Sequence, residues 1–166
     1  MTAPQVQRRE YQKVVMGIDV GLKMGVAILD AFDGSLVSVY TVRSKTASDT
    51  RLDAVEGELG RVFHRYNLQA VSIEKPYGAN KNGLFPLAEM IGVGKRFCRR
   101  MKIPYATPHL AFMKKLATGN GRCDKSAMIA AAKKRWGGDY TDNEADALWV
   151  AEWGRVNILN KIEKDV

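Results

Sequence analysis

Val14-Val15-Met16-Gly17-Ile18-Asp19-Val20-Gly21 is a run of β-forming residues that ends on a carboxylate and then a glycine. An ionised carboxylate at the edge of a hydrophobic core is costly unless a cation, a hydrogen bond or a bound proton compensates it. Asp19 is therefore either a turn residue, which an Asp near a Gly makes ordinary, or a ligand. Working outward, Gly21-Leu22-Lys23-Met24-Gly25 reads as a glycine-bracketed turn and Val26 to Leu29 as a returning strand, so the stretch opens a β-hairpin. Asp33-Gly34 marks a second turn, and Leu36 to Val42 reads as a third strand. Three antiparallel strands come first.

From Ser48, the expected cap, Leu52, Val55, Leu59, Val62, Phe63 and Tyr66 recur at helical spacing. Leu68 to Ile73 is a short apolar run ending in Glu74, as a strand covered on both faces requires. Lys75 to Gly83 breaks regular structure; a helix then runs over Leu84 to Lys102, with Pro86 expected in its first turn. A short fifth strand is expected at Ile103 to Ala106, and helices at Pro108 to Ala117, Asp124 to Trp136 and Thr141 to Asn157, the last capped by Thr141 or Asp142. This order gives an α/β protein with a mixed five-stranded sheet, three antiparallel strands and then two parallel ones, flanked by helices.

At 166 residues, residues 1–13 are expected as a flexible tail and 14–160 as one domain. No stretch approaches the roughly 20 apolar residues of a membrane span, and the charged start does not read as a signal peptide, so the expected location is the cytoplasm. Cys98 and Cys123 lack zinc-site spacing and read as reduced thiols. His64 reads as a helix-surface residue and His109 as structural at a helix start, while the methionines read as core filler.

The net charge of +8 is local. Residues 95–135 hold twelve Lys or Arg against the single acid Asp124, a local charge of +11 that leaves −3 for the rest of the chain. Such an excess favours a polyanionic partner. Asp19 and Glu74 each follow an apolar β-run, so neighbouring strands would project both from one edge. Asp142 and Asp146, at i, i+4, and Asn143 and Asp146, at i, i+3, share one face of the last helix. Capping explains an Asp at a helix start but not Asp146, a turn further in. A hard divalent cation, Mg²⁺ or Mn²⁺, is the economical way to gather these acids, and two ions about 4 Å apart suit phosphodiester hydrolysis.

Gly17-Ile18-Asp19-Val20-Gly21 with Gly25-Val26-Ala27, then Ser72-Ile73-Glu74-Lys75, then Glu144-Ala145-Asp146-Ala147-Leu148 resemble the three acidic motifs of RuvC-type Holliday junction resolvases, in the ribonuclease H-like superfamily. The resemblance spans Val14 to Ala151. It implies a ribonuclease H-like fold and a homodimeric, metal-dependent endonuclease that nicks a four-way DNA junction symmetrically. Asp19, Glu74 and Asp146 match the family's acids, Lys114 matches a basic residue in the segment before the glycine loop, Lys125 matches a basic, catalytic residue near the scissile phosphate, and Tyr77 falls where relatives place an aromatic that wedges into the junction centre. Lys75, Lys81, Lys115 and Arg122 join the expected DNA contacts. Where the family has Asp or His, this chain has Asn143, a neutral amide that binds a metal less well than a carboxylate. Asp142 is the preferred fourth carboxylate, with Asn143 as its competitor. Asn143 and the compact length point toward a phage-encoded version.

Two other readings share these acids. A ribonuclease on RNA–DNA hybrids would use the same fold, and a junction-binding relative without catalysis is encouraged only by Asn143. A sugar-kinase-like ATPase also opens on an Asp-x-Gly hairpin but needs two lobes and a longer chain.

Overall fold

Val14, Val15, Met16 and Ile18 are completely buried because the strand that carries them is central. In the computed structural model, which describes residues 11–44, 48–77 and 81–162, the sheet is ordered β3-β2-β1-β4-β5. Side chains of residues 48, 81, 82 and 162 are not described, so the Ser48 cap and the Lys81 contact lie outside the described residues, as do residues 1–10 of the expected tail. Of that tail, Lys13 already belongs to the sheet.

The strands are β1 (Lys13–Asp19), β2 (Lys23–Asp30), β3 (Leu36–Arg43), β4 (Asn67–Ile73) and β5 (Tyr105–Ala106). β1 pairs antiparallel with β2, which pairs antiparallel with β3; β1 pairs parallel with β4, and β4 with β5. The mixed five-stranded sheet of the sequence reading is therefore the one observed. The helices are α1 (Ser48–Arg65), α2 (Lys81–Met101), α3 (Leu110–Thr118), α4 (Lys125–Trp136) and α5 (Asp142–Gly154), followed by a π-helical turn (Arg155–Leu159) and α6 (Asn160–Ile162).

Side-chain alternation along β1 splits the core in two. Val14, Met16 and Ile18 face α1 and α2, packing with Val55, Leu59, Val62, Met90 and Phe97. Val15 faces the opposite layer with Ala27, Leu29 and Ala70, against Met113 of α3, Met128 of α4 and the alanines and Leu148 of α5. Apolar side chains are needed on both faces, so the strand reads as a continuous hydrophobic run.

Helix α5 lies against the sheet on a seat without side chains. A Cβ placed on Gly17 would collide with the backbone of Ala147 and Ala151, and one on Gly25 with the Asn143 carbonyl. Gly25 is thus a β2 residue that admits a helix rather than part of a turn, because β2 begins at Lys23. Gly21, which brackets the hairpin turn, has no positive φ, and a Cβ there would meet the Lys23 backbone only at ordinary van der Waals distance.

Three further boundaries differ. α2 starts three residues before the expected Leu84, which moves Pro86 into its second turn, where it withholds one amide from the helix. β5 is only two residues long, since Pro104 has no amide to offer and contributes its carbonyl to Val71 instead. The last helix converts to a π-turn at Arg155, where Arg155 Nε and Nη2 donate to Glu152 at 2.7 and 2.8 Å. Glu152, 8% exposed, also faces Arg135 at 3.7 Å. The two arginines and Trp136 donate in turn to the carbonyls of Phe32, Asp33 and Gly34, tying the β2–β3 turn to α4 and α5.

Candidate metal centre and nucleic-acid interface

Parallel pairing of β1 and β4 brings Ile18 beside Ile73, and the Glu74 amide donates to the Ile18 carbonyl at 3.0 Å. Asp19 and Glu74, the next residue on each strand path, therefore leave the same sheet edge side by side. The third acid arrives from α5. Thr141 caps that helix in a capping box: Glu144 N donates to Thr141 Oγ1 at 3.3 Å, and Thr141 N to Glu144 Oε2 at 2.9 Å. This anchors the first turn, consumes Glu144 in structure, and leaves Asp146 one turn in, between the buried Ala145 and Ala147. The glycine seat then lets α5 approach closely enough that one carboxylate oxygen from each of Asp19, Glu74 and Asp146 lies within 4.8 Å of the others.

Such crowding has an electrostatic signature. Burial, then the charges of Glu74 and Asp146, push the Asp19 carboxyl up to about 8, with Lys125 opposing. Burial and Asp146 push Glu74 up to about 7, against Lys125 and Lys114. Burial also raises Asp146. Glu74 Oε2 is buried and finds no hydrogen-bond partner among the described residues. Three hard oxygen donors within reach of one another, one of them otherwise orphaned, fit a divalent cation, which would return all three to their ionised forms.

Asp142, the preferred fourth carboxylate, lies outside this group of three, although its charge adds to the upward pressure on Asp19 and Asp146. Its Oδ2 accepts from Lys125 Nζ at 3.1 Å, and that contact holds its carboxyl below the usual range. The backbone carbonyl of Asn143 lies over Gly25, the residue paired with Asp19 across the hairpin. Lys114, half-buried on α3, acts electrostatically on both Glu74 and Asp146, whereas its neighbour Lys115 is exposed. Lys125 opens α4, with Asp124 capping that helix at Ala127 N. Arg122 is exposed in the preceding loop, its amide held by the Asn120 side chain. Tyr77 is 91% exposed, three residues beyond Glu74, and Lys75 is exposed with its amide bonded to the Pro108 carbonyl.

The remaining sequence expectations fall mostly in the core. Cys98 is a buried free thiol and Met16, Met24, Met90, Met113 and Met128 are buried. His64 is exposed, and His109 occupies the α3 cap position without a capping side-chain bond, its ring edge-on to Phe112. Trp149 packs edge-on against Trp136 and donates to the Met128 carbonyl. Sequence reading passed over the role of Gly17, Gly25, Ala147 and Ala151 in setting the depth of Asp146. The signal was present as glycines inside apolar strands, which mark close approach of another backbone.

Among the described residues no helix is long and apolar enough to cross a membrane. The family profile of the crossover junction endodeoxyribonuclease RuvC matches residues 15–151. The crossover junction endodeoxyribonuclease RuvC of Gloeobacter violaceus is 29% identical over 149 residues, covering 84% of this chain and 86% of that protein. Its counterpart in Bifidobacterium adolescentis is 32% identical over 142 residues, 81% of this chain and 73% of that one. In structure, Thermus thermophilus RuvC in complex with Holliday junction substrate superposes with a TM-score of 0.72 at 21% identity, covering 83% of this chain and 90% of that one, which establishes a common fold. With its acidic motifs inside the matched span and its sheet and helices in the same arrangement, the chain belongs to the RuvC family of crossover junction endodeoxyribonucleases.

Proposed function

We propose that this protein is an endodeoxyribonuclease that resolves four-way DNA junctions by paired symmetric nicks, as a homodimer and with divalent metal. The convergence of Asp19, Glu74 and Asp146 within 4.8 Å is the observation that carries the reading. Mg²⁺ or Mn²⁺, two ions per site, would be held by these three acids, with Asn143 as the neighbouring neutral donor. When bound, such ions activate a water and stabilise the leaving oxygen of a phosphodiester.

The chain's own residues supply the rest. The three carboxylates accept cations at a fixed sheet edge, so little reorganisation accompanies binding. Lys114 and Lys125 meet the phosphate flanking the acids, with Lys115 and Arg122 further out along the basic segment. Lys75 and Lys81 stand on either side of Tyr77 in the sequence, and the exposed Tyr77 ring is free to stack on an unpaired base at the branch point. Neutralisation of DNA phosphates by the basic segment releases their condensed counterions, so binding weakens steeply with salt.

Purified protein with Mg²⁺ or Mn²⁺ is expected to nick a synthetic four-way junction at symmetric positions, while Asp146→Asn binds the junction without cutting. Preferential cutting of RNA–DNA hybrid would replace this reading with a ribonuclease. Tight junction binding with no cleavage under any divalent metal would replace it with a non-catalytic junction binder.

A further inference from the structure

We propose that Asp142 is a positioning residue, not the fourth metal ligand: its carboxylate holds the Lys125 ammonium beside the Asp19–Glu74–Asp146 cluster, ready for the phosphate of bound DNA. The assignment rests on the junction-nuclease reading above and adds a role for a residue of the same site. The contact is direct, with Lys125 Nζ donating to Asp142 Oδ2 at 3.1 Å. Asp142 does not share the oxygen–oxygen distances that unite the other three acids.

The location of the pair explains why it is needed. Lys125 is the first residue of α4 and Asp142 the first residue of α5, so two helix N-termini carry the two partners. A cation at a helix N-terminus is opposed by the macrodipole, and an anion there is favoured. Lys125 is thus placed against the preference of its own helix, while Asp142 is placed with the preference of its own. The charge at Lys125 has electrostatic reach to all three cluster acids. Its side chain is 74% exposed and packs on little else, so a four-carbon stem would otherwise sample many rotamers. Asp142, 44% exposed and on a capped helix, selects the rotamers near the cluster. DNA arriving at the site then meets an oriented ammonium, and less rotamer freedom is lost on binding.

The two roles predict opposite signs in the absence of metal. Junction binding is measured in EDTA, by fluorescence anisotropy of a labelled synthetic four-way junction, for wild type, Asp142→Asn, Asp142→Glu, Lys125→Met and the double variant Asp142→Asn/Lys125→Met. A positioning residue worth an exposed ion pair gives about two- to fivefold weaker binding in Asp142→Asn. The double variant then binds no more weakly than Lys125→Met, and Asp142→Glu recovers most of the loss. A metal ligand gives the reverse, since removing an anion from an uncompensated acidic cluster tightens DNA binding whether or not Lys125 is present.

Unchanged or tighter binding by Asp142→Asn overturns the assignment, as does a loss that persists in the Lys125→Met background. With metal added, the Mg²⁺ concentration for half-maximal cleavage is expected to match wild type in Asp142→Asn, and an increase of about tenfold would overturn it, because a lost ligand is felt in metal affinity. Wild type that shows no preference for the junction over linear duplex, in binding or cleavage, refutes the junction-nuclease reading. Wild type that binds and cuts the junction while Asp142 and Lys125 act independently refutes the positioning role alone.

Discussion

Asp19→Asn should make the metal-free protein more stable at pH 8 while removing its metal-dependent chemistry. The folded carboxyl is held up to about 8 against 3.8 for an unperturbed Asp. A raised folded pKa means the native state keeps a proton that the unfolded chain has released. Its stabilising contribution is complete below 3.8 and is lost as pH rises through the window up to about 8. At pH 7 roughly three pH units of this window have been crossed, which at ~1.4 kcal/mol per unit sets a ceiling of about 4 kcal/mol. Glu74 and Asp146 share the same repulsion, so the part released by one substitution is of order 1–2 kcal/mol, about 2–8 °C in a domain of this size.

The assay is thermal unfolding of wild type and Asp19→Asn in EDTA from pH 4 to 8. The two melt closely at pH 4, and the advantage of the variant grows toward pH 8. Saturating Mg²⁺ then raises the melting temperature of wild type and leaves the variant little changed, closing or inverting the gap. A gap that does not vary with pH, or a variant that is less stable than wild type at pH 8 in EDTA, would refute the reasoning that these acids repel one another in the folded state.

Gly17→Ala forces a methyl into the backbone of α5 at Ala147 and Ala151. It is expected to cost at least ~1–3 kcal/mol in urea unfolding and to raise the metal requirement for cleavage by moving Asp146; wild-type behaviour on both counts would show that α5 has room to move. Glu152→Gln leaves Arg155 and Arg135 facing a neutral group at a site only 8% exposed. A loss of about 3 kcal/mol is expected by chemical denaturation, with junction cleavage intact well below the melting temperature. Tyr77→Ala, at a side chain 91% exposed, should alter stability by less than ~0.5 kcal/mol. Junction cleavage should fall about tenfold or more if the ring stacks on a base, and equal rates for the two proteins would remove Tyr77 from the DNA interface.

The helices α1 and α2 were legible because apolar residues at helical spacing need one buried face, α5 because Thr141 and Asp142 offer a cap, and β1 and β4 because continuous apolar runs need two. Asp19, Glu74 and Asp146 were legible as candidates because each is an acid set where burial or helix position leaves it unexplained. Lys114 and Lys115 could not be separated along the chain, since adjacent helical residues point about 100° apart; packing of α3 against α5 and α4 leaves Lys114 half-buried with its charge acting on the acids and Lys115 in solvent. The short β5, the early start of α2 and the π-turn at Arg155 were not legible, because each depends on a hydrogen-bond partner distant in sequence or on how a proline is accommodated.

The chain by itself determined the order of strands and helices, the three acids and the local basic excess, since periodicity, chain order and charge are properties of the sequence. Only the tertiary structure decided how near the acids come and which way Asp142 points. Those depend on a helix lying on two glycines from different strands and on a lysine from another helix reaching Asp142 first. Asp19, at the end of the strand that opens the fold, is a ligand candidate rather than a turn residue because β4 and α5 bring Glu74 and Asp146 to it.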